Sequence, residues 1–243
     1  EWWATYEANK LIVTTYSMRH EVCGHFKVPW EKVWIIPNAV DANKFQVNVD
    51  KGAVRQRYGV GWGEKLILYV GRLVPQKGVE FLIQAVPKIS AKYAGAKFVI
   101  VGEGWLRGHL EYLANMTGQR GRINFTGFIP DSELVALMRS ADVLVVPSVY
   151  EPFGIVALEG MAAEVPVVAS QVGGLAEVVD HDYTGIFVYP RNPESIAWGV
   201  DRILSNYDHA KWLTQNAREK LHKTYSWEAV AMKTVEVYKK AVG

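Results

Sequence analysis

The sequence has a single cysteine, Cys23, in 243 residues, so no disulfide forms within the chain. It has no excess of charge of one sign either. Its 27 Lys+Arg against 25 Asp+Glu leave a net charge of +2, and no run of five or more basic residues occurs. A field that weak does not hold DNA or RNA by phosphate neutralisation, which excludes nucleic acid as the default partner. Long apolar runs are missing too. The longest, at 66–70 and 143–149, fall far short of the roughly 18 residues that cross a bilayer, so no membrane span is expected. The histidines, at 20, 25, 109, 181, 209 and 222, show no metal-ligand spacing, and with one cysteine they predict no metal site. No Gly-x-Ser-x-Gly elbow is present. The opening Glu1-Trp2-Trp3-Ala4 is neither a signal peptide nor a methionine start, and the expectation is a cytoplasmic piece of something longer.

What the sequence does have is enough apolar material for a real core, with 49% hydrophobic residues against 21% charged. From Lys65 onward, short β-rich runs alternate with amphipathic stretches of helical length, the pattern of βαβ units. Strands are predicted at 66–70, 97–101, 123–126, 143–146 and 165–169, with a sixth at 185–188. Helices are predicted at 79–93, 105–118, 131–140 and 155–163. The run 33–36 reads as one more strand entering the same sheet. These strands are continuous apolar runs, so helices should cover both faces, which makes the fold class a doubly wound, Rossmann-like α/β sandwich. After residue 193 the pattern turns all-helical. Residues 1–28 read as helix, strand and helix, too little to fold alone. The expected division is therefore 1–28 as the remnant of a missing N-terminal domain with its linker, 29–224 as the ligand-binding domain, and 225–243 as a helix returning toward the missing part. Aromatics make up 12% of the chain, and Trp2, Trp3, Trp198, Trp212 and Trp227 fall in segments expected to leave an apolar patch exposed.

In an open parallel sheet, ligands bind beyond the carboxyl ends of the strands, so function is sought in the loops that follow them. Five successive loops carry glycine there: Gly71 and Gly78, Gly102 and Gly104, Gly127, Gly154, then Gly173 and Gly174. One reading is that such turns need glycine for positive φ; the series as a whole points to close backbone approach at a site. The first loop adds Arg72 and Lys77 at a helix start, where free amides and the helix dipole favour an anion. They form a candidate phosphate clamp, the alternative being a solvated surface pair. It is not a Walker loop, because Gln76 stands where glycine is required and Gly78 where Ser or Thr would ligate magnesium. The later loop Glu151-Pro152-Phe153-Gly154 opens a helix in which Glu159 is the only ionisable residue from Ile155 to Ala163. A carboxylate on so apolar a helix is costly unless hydrogen-bonded. Its spacing from Ile155 puts Glu159 on the face that rises toward the ligand edge, where a ribose diol would satisfy it; the alternative is an internal bond to backbone or to Arg72. Gly102-Glu103-Gly104-Trp105 lacks the third glycine of a dinucleotide motif at the required spacing, so NAD is not implied.

Taken in order, Gly71-Arg72-Leu73 with Lys77-Gly78, Val101-Gly102-Glu103-Gly104, Phe125-Thr126-Gly127-Phe128, Glu151-Pro152-Phe153-Gly154 with Glu159, then Gly173-Gly174 and Gly185 resemble the family-4 retaining glycosyltransferases of the GT-B fold. Pro37-Asn38-Ala39-Val40-Asp41 is similar to the family's Pro-Asn-Gly-Val-Asp stretch, with Ala39 in place of glycine. The resemblance covers essentially the whole chain and implies a metal-independent hexosyltransferase with a nucleotide-sugar donor as substrate and no cofactor. By that resemblance Arg72 and Lys77 hold the diphosphate, Glu151 contacts the donor sugar and Glu159 takes the ribose hydroxyls. Backbone amides around Phe153, Gly154 and Ile155 meet phosphate or sugar. Gly127, Phe128 and Ile129 line the base, and Gly71 and Gly102 complete the donor edge. Met18-Arg19-His20-Glu21-Val22 after Thr14-Thr15-Tyr16-Ser17, together with Tyr225-Ser226-Trp227, look most like the glycogen and starch synthase branch. That implies ADP- or UDP-glucose as donor and an α-glucan as acceptor. Half the cleft then lies outside this chain, and the chain alone is expected to bind donor without turnover. Two other readings stand beside it: a non-catalytic nucleotide-sugar-binding or docking module, which would use the same residues, and a GT-B nucleotide-sugar epimerase, which shares the scaffold but not the paired-glutamate loop.

Overall fold

A computed structural model describes residues 2–242. In chain order the elements are α1 (Trp2–Glu7), β1 (Leu11–Val13), α2 (Tyr16–Phe26), β2 (Val33–Ile35), α3 (Lys51–Arg57), β3 (Lys65–Val70), α4 (Val79–Lys92), β4 (Ala96–Val101), α5 (Arg107–Met116), β5 (Ile123–Gly127), α6 (Asp131–Ser140), β6 (Val143–Val146), α7 (Ile155–Ala162), β7 (Val167–Ser170), α8 (Leu175–Val178), β8 (Ile186–Val188), α9 (Pro193–Leu204), α10 (Tyr207–Thr224) and α11 (Trp227–Val242). No helix among the described residues is long and apolar enough to cross a membrane.

Six strands form one parallel sheet in the order β5-β4-β3-β6-β7-β8. The period of two along each strand sorts its side chains into two buried cores. Leu66 and Leu68 of β3 pack with Val99, Leu144 and Leu158 on one face, while Ile67 and Tyr69 pack with Phe98, Ile83 and Val143 on the other. Both faces are therefore covered, as continuous apolar strands require, and the doubly wound Rossmann-like α/β class expected from the sequence is the observed one. The strand order reverses between β3 and β6. That reversal opens a crevice at their carboxyl ends, bordered by the loops 71–78 and 147–154.

The strand expected at 33–36 does not enter this sheet. It is β2, and it pairs in parallel with β1, Leu11 opposite Val33 and Val13 opposite Ile35, as a separate two-stranded sheet. Val13, Val28 and Val33 form its small core, flanked by Met18, Val22 and Phe26 of α2. The fifth predicted strand is also displaced, to Val167–Ser170, since Pro166 lies ahead of the ladder. The first helix, read from the sequence at 3–10, is the shorter Trp2–Glu7, with Glu1 outside the described residues. The C-terminal helix contacts the first segment: the Asn9 side-chain amide donates to the Ala241 carbonyl, and Lys240 lies 4.4 Å above the Trp34 ring. All five tryptophans named above are between 43% and 66% exposed. Trp2 stacks on Tyr6 with Trp3 tilted against both, and Trp198 and Trp212 sit with His181, Tyr183 and His209 beside β8.

Candidate functional site

The two loops at the strand reversal are built against each other. The Val149 and Tyr150 N–H groups both donate to the Gln76 carbonyl, at 2.8 and 3.2 Å, which ties the loop after β6 to the loop after β3. A Cβ added at Gly78 would lie 2.1 Å from the Pro147 carbonyl oxygen, and one at Gly102 would lie 2.0 Å from that of Gly71. The close backbone approach predicted from the glycine series is thus first an approach of loop to loop. It draws the ends of β4, β3 and β6 into one edge.

Across that edge Lys77 Nζ donates to Glu151 Oε2 at 2.7 Å. Glu151 is only 9% exposed and also accepts the Ser148 hydroxyl at 3.1 Å, so its charge is satisfied by protein groups rather than by water. Ser148, 1% exposed, is a member of this cluster that sequence reasoning passed over; a serine closing a strand carries no distinguishing signal. Arg72 is exposed, and its guanidinium has no partner among the described residues. Its carbonyl accepts the Tyr69 hydroxyl at 2.9 Å, which anchors the loop to the strand beneath it. Burial pushes the Tyr69 hydroxyl far above the usual tyrosine range, so it stays a donor.

The helix α7 starts at this edge. The N–H groups of Phe153, Gly154, Ile155 and Val156 donate to no protein acceptor among the described residues, as the first turn of any helix requires unless something caps it. The Phe153 side chain is buried against Tyr225, ring centroids 6.1 Å apart, so this residue can offer a ligand only its backbone. Ile155 is half exposed.

One turn further in, Glu159 is half-buried and makes neither of the internal bonds weighed above, to backbone or to Arg72. Among the described residues its carboxyl has no hydrogen-bond partner. Burial pushes its pKa up; Lys44 opposes the shift and Asp131 reinforces it. Lys44 and Asp131 themselves pair at 2.8 Å beside it, a bridge that no local sequence pattern announced. Phe128 is 78% exposed just past the end of β5, with Ile129 half-buried beside it. Among the described residues no group of three His, Cys, Asp or Glu is close enough to hold a metal ion.

Two hollows outside this edge hold none of the predicted site residues. One, of about 770 Å³, lies between α3 and α6, and the other, of about 730 Å³, lies around Trp62 and Lys65 at the opposite edge of the sheet. An ion pair lines each, Arg57 with Glu133 in the first and Arg55 with Asp142 in the second.

The arrangement combines an unpaired cation, a lysine–glutamate pair, free helix-start amides and an unsatisfied carboxylate along one edge. The model of the glycosyl transferases group 1 family matches residues 50–220, which include every one of these groups. The chain belongs to that family. It is 47% identical, over its whole length and 63% of the relative's, to an uncharacterised glycosyltransferase of Methanocaldococcus jannaschii. It is 35% identical to a glycogen synthase of Mycobacterium tuberculosis, covering 98% of this chain and 56% of that protein. A crystal structure of Anabaena HepE in complex with UDP and glucose shares the fold with a TM-score of 0.88 at 23% identity, covering 97% of this chain and 64% of the other. This glycosyltransferase chain thus spans under two thirds of the length of each.

Proposed function

We propose that this chain is the donor-binding half of a retaining glycosyltransferase that moves glucose from ADP- or UDP-glucose to a glycan, an α-glucan in the reading that the glycogen synthase relative favours. The observation that carries the proposal is the matched set of unsatisfied groups at the strand reversal. Arg72 and the α7 amides lack an anion, and Glu159, one turn below them, lacks a donor. A nucleoside diphosphate supplies both: phosphates for the first, ribose hydroxyls for the second. The Anabaena structure that shares the fold holds UDP, which supports the same assignment.

In this reading the bond from the sugar's anomeric carbon to the β-phosphate oxygen breaks, and the acceptor hydroxyl oxygen bonds to that carbon from the face the phosphate leaves. The acceptor's proton passes to the departing diphosphate. The negative charge on that diphosphate meets Arg72, Lys77 and the positive end of α7, which stabilise it without a divalent cation. Lys77 turns from Glu151 to the phosphates, and Glu151 becomes free to accept a hydrogen bond from the donor sugar. Phe128 and Ile129 cover the base. Residues 1–28, together with the returning 225–243, belong with an acceptor domain that supplies the other wall. The chain alone therefore binds donor without transferring it.

A thermal-shift series with UDP, ADP and GDP at millimolar concentration tests this. At least one should raise the melting temperature, and Glu159→Ala should remove the effect in a folded protein. No response to any of the three would sink the proposal.

A further inference from the structure

Helix α2 lies in the segment assigned from sequence to a neighbouring domain, yet it is fastened to the loop that begins the donor site. The Thr15 hydroxyl, 1% exposed, accepts the Met18 N–H at 3.1 Å as the N-cap of α2 and donates to the Pro152 carbonyl at 3.1 Å. The Glu177 carboxylate on α8 accepts the Tyr16 and Ser17 N–H groups, both at 2.9 Å. The Tyr150 hydroxyl donates to Glu21 Oε2 at 3.1 Å. From the opposite side the Gly174 N–H holds the Glu151 carbonyl at 2.8 Å.

The Thr15 bond matters most because of the peptide group it grips. The Pro152 carbonyl and the Phe153 N–H are the two ends of one planar trans unit, so they point in opposite directions. Holding the carbonyl toward Thr15 aims the Phe153 N–H away from α2. That N–H has no acceptor among the described residues, although Phe153 is only 5% exposed. An unpaired donor in such a place favours any rotation of the peptide plane that would find it a partner. The doubly bonded hydroxyl resists that rotation.

We infer that Thr15 is a positioning residue for donor binding: it locks the 152–153 peptide plane so that the Phe153 amide stays presented to the donor's phosphate or sugar oxygens. The inference rests on the reading of this edge as a nucleoside diphosphate site. It also makes α2 and the loop 147–154 move as one body. The position of the N-terminal segment is then felt directly at the diphosphate.

The test compares Thr15→Val, which keeps the branched shape and deletes the hydroxyl, with Thr15→Ser, which restores it, and with Glu177→Gln, which loosens α2 without touching the Pro152 carbonyl. Affinities are measured by calorimetry for UDP, ADP and GDP and for the corresponding nucleosides, and the Phe153 amide resonance is followed by NMR. Thr15→Val should weaken the diphosphates roughly tenfold, the worth of one hydrogen bond to a charged group. It should leave nucleoside binding within about twofold and move the Phe153 resonance. Thr15→Ser should restore both, and Glu177→Gln should lower the melting temperature without the selective diphosphate loss. A Thr15→Val protein with wild-type diphosphate affinity and an unmoved resonance overturns the inference. So does a Glu177→Gln protein with the same selective loss, because then α2 docking alone is responsible. If the wild type binds no diphosphate, the functional reading fails. The lock is then decided by the Phe153 resonance, moved in Thr15→Val and returned in Thr15→Ser.

Discussion

Lys77 and Glu151, on the loops after β3 and β6, form an ion pair of 2.7 Å across the point where the strand order reverses. They are 74 residues apart in sequence and are brought together only because β6 adds to the sheet next to β3. The pair is asymmetric. Glu151 is enclosed, with side-chain exposure of 11%, whereas Lys77, at 22%, has water within reach along its flexible stem.

That asymmetry predicts unequal costs of mutation. Lys77→Ala leaves an enclosed carboxylate with Ser148 as its remaining side-chain donor and should destabilise the chain by about 2 kcal/mol. Glu151→Gln keeps an acceptor for Lys77, whose charge can turn to solvent, and should cost about half as much. Urea denaturation of the two variants checks this. Equal losses would overturn the asymmetry, and wild-type midpoints in both would mean that the pair is not formed in solution.

Glu159 gives a pH signature. Its folded-state pKa is raised by burial, so the native state holds a proton that the unfolded chain has already released. Stability must then fall as pH rises from the ordinary glutamate range through the raised value, and the penalty is complete above it. Glu159→Gln removes that penalty. The variant should melt higher than wild type at pH 7, and the difference should close on acidification into the ordinary range. In the same protein nucleoside affinity should fall, because the amide is a weaker acceptor than the carboxylate for a diol. A variant that melts lower than wild type at pH 7 would show that Glu159 already has a partner.

The main sheet was legible because its strands are short, continuous and apolar, and the helix at 131–140 was legible to the residue because apolar positions recur along it between Pro130 and Ala141. The site edge followed from topology alone, since the loops after the strands must share one edge. What could not be read was pairing. Apolar periodicity says which face of β2 is buried but not which strand lies beside it, so 33–36 was placed in the wrong sheet. Helix α3 was missed for a different reason: it buries no residue, and the Asp50 cap that starts it by accepting the Ala53 N–H at 3.0 Å is a one-residue signal. The Thr15 hydroxyl and the Lys44–Asp131 bridge are contacts between distant segments, and no local pattern encodes them.

Arg72 should separate binding from folding. Its guanidinium is exposed and makes no bond among the described residues, so Arg72→Ala should leave the melting temperature of the unliganded chain unchanged. Diphosphate affinity should fall about tenfold or more, while nucleoside affinity should hold. The wild-type preference for diphosphate over nucleoside should weaken as salt is raised, and Arg72→Ala should show less of that salt dependence. Calorimetry at two salt concentrations reads both effects, and an unaltered diphosphate affinity would remove Arg72 from the site.

Gly78 is where the two halves of the edge touch, and a single methyl group should pry them apart. Its φ of 63° lies in the left-handed region, and an added Cβ would stand 2.1 Å from the Pro147 carbonyl, which is backbone and cannot swing away. The conformation alone costs an alanine about 1–2 kcal/mol. The clash adds to that by pushing residues 147–151 off Gln76, whose carbonyl holds Val149 and Tyr150. Gly78→Ala should therefore lower stability by at least about 2 kcal/mol and also abolish diphosphate binding in the fraction that remains folded, because Lys77 and the α7 amides no longer border one crevice. Gly59→Ala, at φ 76° with nothing within 4 Å of the new Cβ, is the control. It carries the same conformational cost without the collision and should lose stability while binding diphosphate normally. If both alanines bind alike, the contact between the loops after β3 and β6 is not what assembles the site.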